Sequence, residues 1–411
     1  MATEQMQNRG QSWPDAPVEV LGLVVGRLPT LADRFRFGAV CRPWLAAERQ
    51  TPRRKQLPWL ALSLPSLSDK AVYKLPFPAG GGVCACLCGS ADDWLVVAHR
   101  EHGNFLLNPF TGATLPLPHQ RTITRSYIRR DRDSEDSPYI RKAVFSCPPA
   151  VDDPGRCIVA AIVDSGELFF CRPGQSSWRR PQCFSDRATN EFEDITFCDG
   201  RLYGMLNSGV LRRSRDTMRV FEVEEDADQL VESRTDGGFL HKYSNHQADQ
   251  EEQFRQDPPF LERRYCVESR GRLLIVEDIG TRLFKVFHRV PIPLEGKALH
   301  EAWVTMESLD GEALFLGGSG SRSFAASDHD GDDADCIYFT DDQEKEQNFC
   351  NNRFESPYRS ELLDDDPAGM QPCRDIGRYC MRDQSVSFLK ELPSNERRSP
   401  PIWLYLSDRR R

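Results

Sequence analysis

Apolar residues change their spacing once along this 411-residue chain. Up to about residue 50 they recur every three or four positions; from about residue 67 they fall in short runs between turn-forming residues. The first pattern predicts helices and the second strands. Val20, Leu21, Val24, Val25 and Leu28 share one face of a helix that Asp15 would cap and Pro17 would open. Gly26 lies inside that run and lowers its helical propensity without ending it. After a break at Pro29-Thr30, the spacing Thr30-x-x-Asp33 predicts a weak capping box and a second short helix to about Phe37. A third, from about Val40, would carry Cys41, Trp44 and Leu45 on one side. A unit of roughly 40 residues rarely buries enough surface to be stable alone. An unpaired apolar face on such a unit reads as a docking surface.

Beyond residue 67 the short runs gather into groups of three or four, joined by tight turns rich in Gly, Pro, Asp and Asn. Residues 94–98 and 104–107, closed by Asn108-Pro109-Phe110-Thr111-Gly112, make one group; residues 142–147, 157–163 and 167–171 make the next. Further groups cover 195–223, 264–287, 303–316 and 336–389. Radial sheets of about four strands give this layout, so the pattern predicts a β-propeller of six blades, or seven. No fixed period and no WD-type dipeptide marks each blade, and two β-sandwich domains are the structural alternative. The strands are not interrupted by amphipathic runs of helix length, which argues against an α/β enzyme. Residues 224–259 and 344–372 are rich in acidic and amide side chains and predict disordered insertions or mobile loops. Residues 1–12 read as a disordered N-terminus, 13–50 as the helical unit, 51–66 as a linker opening on Arg53-Arg54-Lys55, and 67–406 as the propeller.

A net charge of −9 argues against a nucleic-acid role resting on a basic surface. The longest apolar runs, such as 157–163, are far too short to span a membrane, and the polar N-terminus leads to the expectation of no signal peptide. The expected protein is soluble, in nucleus or cytoplasm, with its 14 cysteines reduced. Cys84, Cys86 and Cys88 alternate as on one strand face, and without a second cysteine pair they read as buried small side chains, not a zinc site.

Two resemblances give these segments a function. Ala16-Pro17-Val18-Glu19-Val20-Leu21, then Leu28-Pro29, then Val40-Cys41-Arg42-Pro43-Trp44 is similar in order and distance to an F-box. That family docks on a Skp-type adaptor, which joins it to a cullin–RING ubiquitin ligase. The resemblance implies that Pro17, Val20, Leu21, Val24, Leu28, Val40, Cys41 and Trp44 form the adaptor face, with Ala16 where the family usually has Leu. The second covers most of the rest: 264–274, 313–317, 336–342, Asp194-Ile195-x-Phe197-x-Asp199-Gly200 and Ser399-Pro400-Pro401-Ile402-Trp403 resemble plant F-box proteins with a KIB-type propeller. It implies a substrate receptor, its propeller holding an unidentified target protein, with catalysis in other subunits. The alternative is a propeller enzyme or small-ligand binder whose N-terminal helices are structural.

Catalytic patterns give little support to that alternative. There is no P-loop lysine motif and no G-x-S-x-G elbow, and Gly317-Gly318-Ser319-Gly320 lacks the dinucleotide spacing. His99-x-x-His102 lacks the glutamate of a helical zinc protease. Asp328-His329-Asp330-Gly331-Asp332-Asp333-x-Asp335 alternates oxygen ligands, but its glycine is displaced from the calcium-loop position and no closing glutamate follows. It reads as an exposed acidic turn, and neither metal nor cofactor is expected.

Overall fold

A computed structural model describes residues 13, 16–28, 31–51, 58–61, 85–99, 103–124, 138–183, 191–206, 218–224, 229–236, 263–279, 283–292, 300–328, 333–340, 376–390 and 402–405. Three short helices come first: α1 (Val18–Arg27), α2 (Leu31–Gly38) and α3 (Arg42–Gln50). Pro17 immediately precedes α1 and offers no side-chain cap; Asp15 and Thr30 lie outside the described residues. Leu21, Val25, Phe37 and Ala47 are buried among the helices, with Ala16, Val24, Leu28 and Trp44 packed around them. The Trp44 ring stacks on Phe37 at 4.3 Å and meets Trp13 edge-on at 6.3 Å.

The strands follow. β1 (Trp59–Ala61) finds its partner only at the far end of the chain. β2 (Ala85–Ala91), β3 (Trp94–His99), β4 (Gly103–Leu107) and β5 (Thr114–Leu117) form the first full sheet. β6 (Ile140–Phe145), β7 (Val159–Val163) and β8 (Leu168–Cys171) form the second. The third is β9 (Phe192–Cys198), β10 (Arg201–Leu206), β11 (Met218–Glu224) and β12 (Gln229–Asp236). The fourth is β13 (Arg263–Ser269), β14 (Arg272–Asp278), β15 (Phe284–Ile292) and β16 (His300–Met306). A single parallel pair, Glu268 with Arg322, joins it to a fifth: β17 (Glu312–Leu316), β18 (Arg322–Ala325), β19 (Cys336–Phe339), β20 (Ile376–Cys380) and β21 (Val386–Lys390). β22 (Ile402–Leu404) then returns to β1, antiparallel, with Trp403 opposite Leu60.

A strand points alternate side chains to opposite faces, so each sheet can pack a neighbour on either side. The buried clusters follow that rule around a closed cycle. Val96 and Leu106 of the first sheet pack with Val159 and Phe169 of the second. Ile162 and Phe170 then meet Ile195 and Leu202 of the third, and Met205 and Val220 meet Cys266 and Trp303 of the fourth. Val267 and Val276 pack on Leu314 and Phe339 of the fifth, and Phe315 and Tyr338 on Trp403 and Tyr405. Ile402 and Leu404 complete the ring against Leu95 and Leu107 of the first sheet. Among the described residues six sheet units thus close a β-propeller, with the β1–β22 pair as the closing unit.

The structure departs from the pattern in three places. β1 lies inside the stretch predicted as a linker, because its edge completes the strand that returns from residue 402. β12 lies inside the predicted insertion 224–259: Leu230 is buried on its neighbours and Glu232 pairs with Arg219 of β11, so one apolar side chain and one ion pair hold a polar-looking segment as a strand. In β2 a bulge interrupts the cysteine alternation, Leu87 facing Val97 and Gly89 facing Val96. Cys88 is buried there and Cys86 half-buried. Residues 1–12, 237–259, 344–372, most of 51–66, Cys84 and His102 lie outside the described residues.

Adjacent sheets share few backbone hydrogen bonds, and side chains join them instead. Lys142 of β6 forms a buried ion pair with Asp194 of β9. The other oxygen of Asp194 accepts the Cys266 N–H of β13 at 2.7 Å. Next to it Glu193 accepts the Arg264 backbone N–H at 2.9 Å and the Arg264 guanidinium at 2.7 and 3.1 Å. Arg141 donates to the Phe192 carbonyl at 2.8 Å. Gly89 sits so close to the second sheet that a Cβ there would strike the Ala143 carbonyl.

Asp194→Ala would leave Lys142 enclosed without its counter-charge and the Cys266 amide without its acceptor. It should lower unfolding free energy by about 3–5 kcal/mol, measured as a reduced urea midpoint. Replacing both partners with apolar residues, Lys142→Met with Asp194→Leu, should cost much less.

Candidate functional site

Two surfaces could bind partners: the outer side of the helical unit, and the mouth of the propeller where the hairpins from its axial strands end. On α1 the residues that face α2 and α3 are consumed by packing. Leu21 is 0% exposed, and Val24 and Leu28 are half-buried. On the opposite side Val20 is 44% and Leu23 67% exposed, three positions apart and therefore neighbours on the helix surface. Val40, at the turn into α3, is 60% exposed, and Pro17 also faces solvent. Cys41 and Trp44 are half-buried, the Trp44 indole N–H donating to the Trp13 carbonyl at 3.2 Å. The structure therefore separates the eight residues of the expected adaptor face: Pro17, Val20 and Val40 face outward, while Leu21 supports them from within. Leu23, exposed beside Val20, lies outside the expected set because its neighbours in sequence make the inward stripe the stronger signal.

The helical unit is also seated on the propeller. Phe35 of α2 stacks on Phe110 at 4.6 Å and 14° between planes. It packs against the cluster formed by Leu95, Leu107, Ile402 and Leu404, where the ring closes.

At the propeller mouth, β2, β6, β9 and β13 lie side by side, the first three at the edges of their sheets and β13 bordered by its single parallel pair with β18. Three of them end in hairpins whose two central residues both have positive φ: Asp92-Asp93, Asp199-Gly200 and Arg270-Gly271. Such loops match the right-handed twist of the flanking strands. Asp-Gly is the usual solution, whereas Asp92-Asp93 has no glycine and is held by contacts. Arg322 donates to Asp92 at 2.9 Å, and the Asp93 N–H to the Tyr405 carbonyl at 2.8 Å. Tyr405 in turn donates its backbone N–H to the Ser90 hydroxyl at 3.0 Å and its phenol to the Gly320 carbonyl at 3.0 Å.

These hairpins enclose a cavity of about 270 Å³ whose polar wall includes Asp92, Thr196, Asp199, Glu268 and Arg322. Burial alone would push the Arg322 guanidinium down, but the Asp92 carboxylate, with Glu268 beyond it, more than reverses this and raises it. Glu268 accepts the Gly271 N–H at 2.8 Å.

Cys147 lies on the same wall. A hydrogen bond from the Cys157 thiol lowers its pKa; burial opposes this, while the Ser146 hydroxyl, Arg156 and Arg172 reinforce it. Cys157 is pushed up by the same hydrogen bond and by burial, its Sγ lying 3.1 Å from the Cys147 carbonyl oxygen.

The acidic turn holds no ligand geometry among the described residues. Asp335 accepts from the Leu309 N–H at 2.7 Å, the Ser308 hydroxyl at 2.8 Å and Arg382 at 3.0 Å, and Asp333 accepts from the Tyr338 hydroxyl. Asp333 thus binds within its own segment, whereas Asp335, buried and not exposed as expected, ties the turn to two others; His329 to Asp332 lie outside the described residues. Among the described residues no group of three His, Cys, Asp or Glu is placed to hold a metal, and no helix is long and apolar enough to cross a membrane.

The KIB1-4 beta-propeller family matches residues 63–364. The chain is 27% identical to F-box protein At3g56470 of Arabidopsis thaliana over 49% of its own length and 53% of that protein. It is 31% identical to F-box protein At1g10110 of the same plant, over 49% of its length and 55% of that protein. F-box protein SKIP23, also from Arabidopsis thaliana, is 21% identical over 95% of each chain. The chain thus spans about half the length of the first two relatives and nearly all of the third.

The lowered Cys147 thiol should alkylate with iodoacetamide along a pH profile displaced below the usual thiol value of about 8.5. Mass spectrometry of the Cys147 peptide should show faster labelling at pH 7 than the Cys157 peptide. Unfolding in urea should abolish the difference.

Proposed function

The chain belongs to the KIB1-4 beta-propeller family, and we propose that it is the substrate-recognition subunit of a Skp–cullin–F-box ubiquitin ligase. Residues 13–50 serve as the F-box and the propeller as the target-binding module. The observation that carries this reading is the set of apolar side chains that the helical unit leaves exposed, Val20 and Leu23 on α1 and Val40 before α3, on a chain whose relatives are F-box proteins. A buried Leu or Val side chain is worth about 1.5–3 kcal/mol, so covering three of them with a Skp-type adaptor supplies a strong association. Pro17 and the edge of Trp44 border that contact, and Leu21, Val24, Leu28 and Cys41 hold its shape.

Catalysis belongs to other subunits of the assembly. This chain contributes proximity: it fixes a target beside a ubiquitin-charged enzyme, and such positioning lowers the entropic part of the barrier. The Phe35–Phe110 stack supports that role, because a helical unit seated on the propeller presents the target at a set angle. Function of this kind places the protein in the nucleus or the cytoplasm.

The decisive experiment is capture of the full chain by a Skp-type adaptor. Val20→Asp with Leu23→Asp, both on the outward side of α1, should reduce capture at least about ten-fold while leaving the thermal unfolding midpoint unchanged. Leu21→Asp should lose capture for a different reason, with loss of helix signal, because it places a charge in the helical core. Failure of the wild-type chain to bind any Skp-type adaptor would sink the reading.

A further inference from the structure

We infer that the propeller mouth binds one basic side chain of a target protein, a lysine ammonium or an arginine guanidinium. Glu268 and Asp199 act as its counter-ions and the Thr196 hydroxyl accepts its N–H at the base. The choice of a protein as ligand rests on the receptor reading above; the charge of the ligand rests on the cavity itself.

The volume of about 270 Å³ falls below the roughly 300–1,000 Å³ of pockets that hold drug-sized ligands. It suits a single side chain better than a cofactor. Asp92, Asp199 and Glu268 line it against one guanidinium, Arg322. Arg322 is already held by Asp92 at 2.9 Å, so that pair neutralises itself and two carboxylates remain. Glu268 has one oxygen on the Gly271 amide. Asp199 makes no hydrogen bond or ion pair among the described residues.

The second observation is independent of the acids. Thr196 is 7% exposed and lines the cavity, yet its hydroxyl has no partner among the described residues. The hydroxyl is not among the fully enclosed polar atoms that lack a partner, so it opens on the cavity, where a ligand N–H can reach it. An ammonium or guanidinium supplies N–H donors to the hydroxyl and to both carboxylates together. An anionic ligand would have to take Arg322 from Asp92 while lying beside Glu268. Val144, Phe145 and Phe197 complete the wall and give the aliphatic stem of a lysine or arginine an apolar surface to lie on.

The test uses the full-length chain and four fluorescent Gly/Ser peptides that differ only in a central Arg, Lys, Gln or Glu. By fluorescence polarisation the Arg and Lys peptides should bind about ten-fold more tightly than the Gln peptide, and the gap should shrink with added salt. Glu268→Gln should remove most of the gap while its amide oxygen still accepts the Gly271 N–H, and Thr196→Val should narrow it too. Equal binding of Gln and Arg peptides, preference for Glu, or binding of none would overturn the inference. Adaptor capture, measured on the same preparation, separates the two claims. A chain that captures the adaptor but ignores basic peptides keeps the receptor role and loses this site. One that binds basic peptides without capturing an adaptor keeps the site and loses the role.

Discussion

The Asp194 carboxylate is shared by three sheets that have no backbone ladder between them. It meets Lys142 from one side and the Cys266 amide from the other. A propeller needs such a device, since its sheets stack face to face and their ladders run within each sheet. Apolar packing between sheets is strong but non-directional, and by itself it would permit one sheet to slide on the next. A buried carboxylate with directional partners permits only one register. Removing either partner leaves an enclosed charge, so the network contributes more to specificity of arrangement than to net stability.

That fixed register is what aligns the hairpin tips into a mouth. Asp92, Asp199 and Glu268 come from three different sheets, and their carboxylates face one cavity only because β2, β9 and β13 end at the same height. Closure adds the fourth wall: residues 402–405 return beside β2 and tie Ser90, Asp93 and Gly320 together. The same closure makes the cluster on which Phe35 rests. The ring, the mouth and the seat of the helical unit therefore share one set of contacts.

Most strands were legible because an apolar run between turn residues is a local signal. β10 and β19 were predicted with their observed bounds and the other named runs within a few residues, whereas β5, β18 and β22 were not named. β12 was not predicted, since it is held by buried Leu230 and by the ion pair of Glu232 with Arg219 on β11, which composition reports as two more polar residues. β1 was missed for the related reason that its partner lies more than 300 positions away. On α1 the periodicity identified an apolar face correctly but could not say which side is used twice: Leu21 went to the core, and Leu23, outside the stripe, stayed in solvent.

By itself the sequence determined the helical start, the succession of short strands and the Asp-Gly turns, because these depend on neighbours within a few residues of one another. It also carried the two family resemblances, which rest on motifs. Only the tertiary structure decided that Asp92-Asp93 is a strained hairpin tip and that Thr196 lines a cavity. It likewise decided that Asp335 of an acidic-looking loop ties that loop to the turns at Ser308-Leu309 and Arg382. Each of these follows from which distant side chain arrives to meet a polar group, and a chain read in one dimension does not hold that distance.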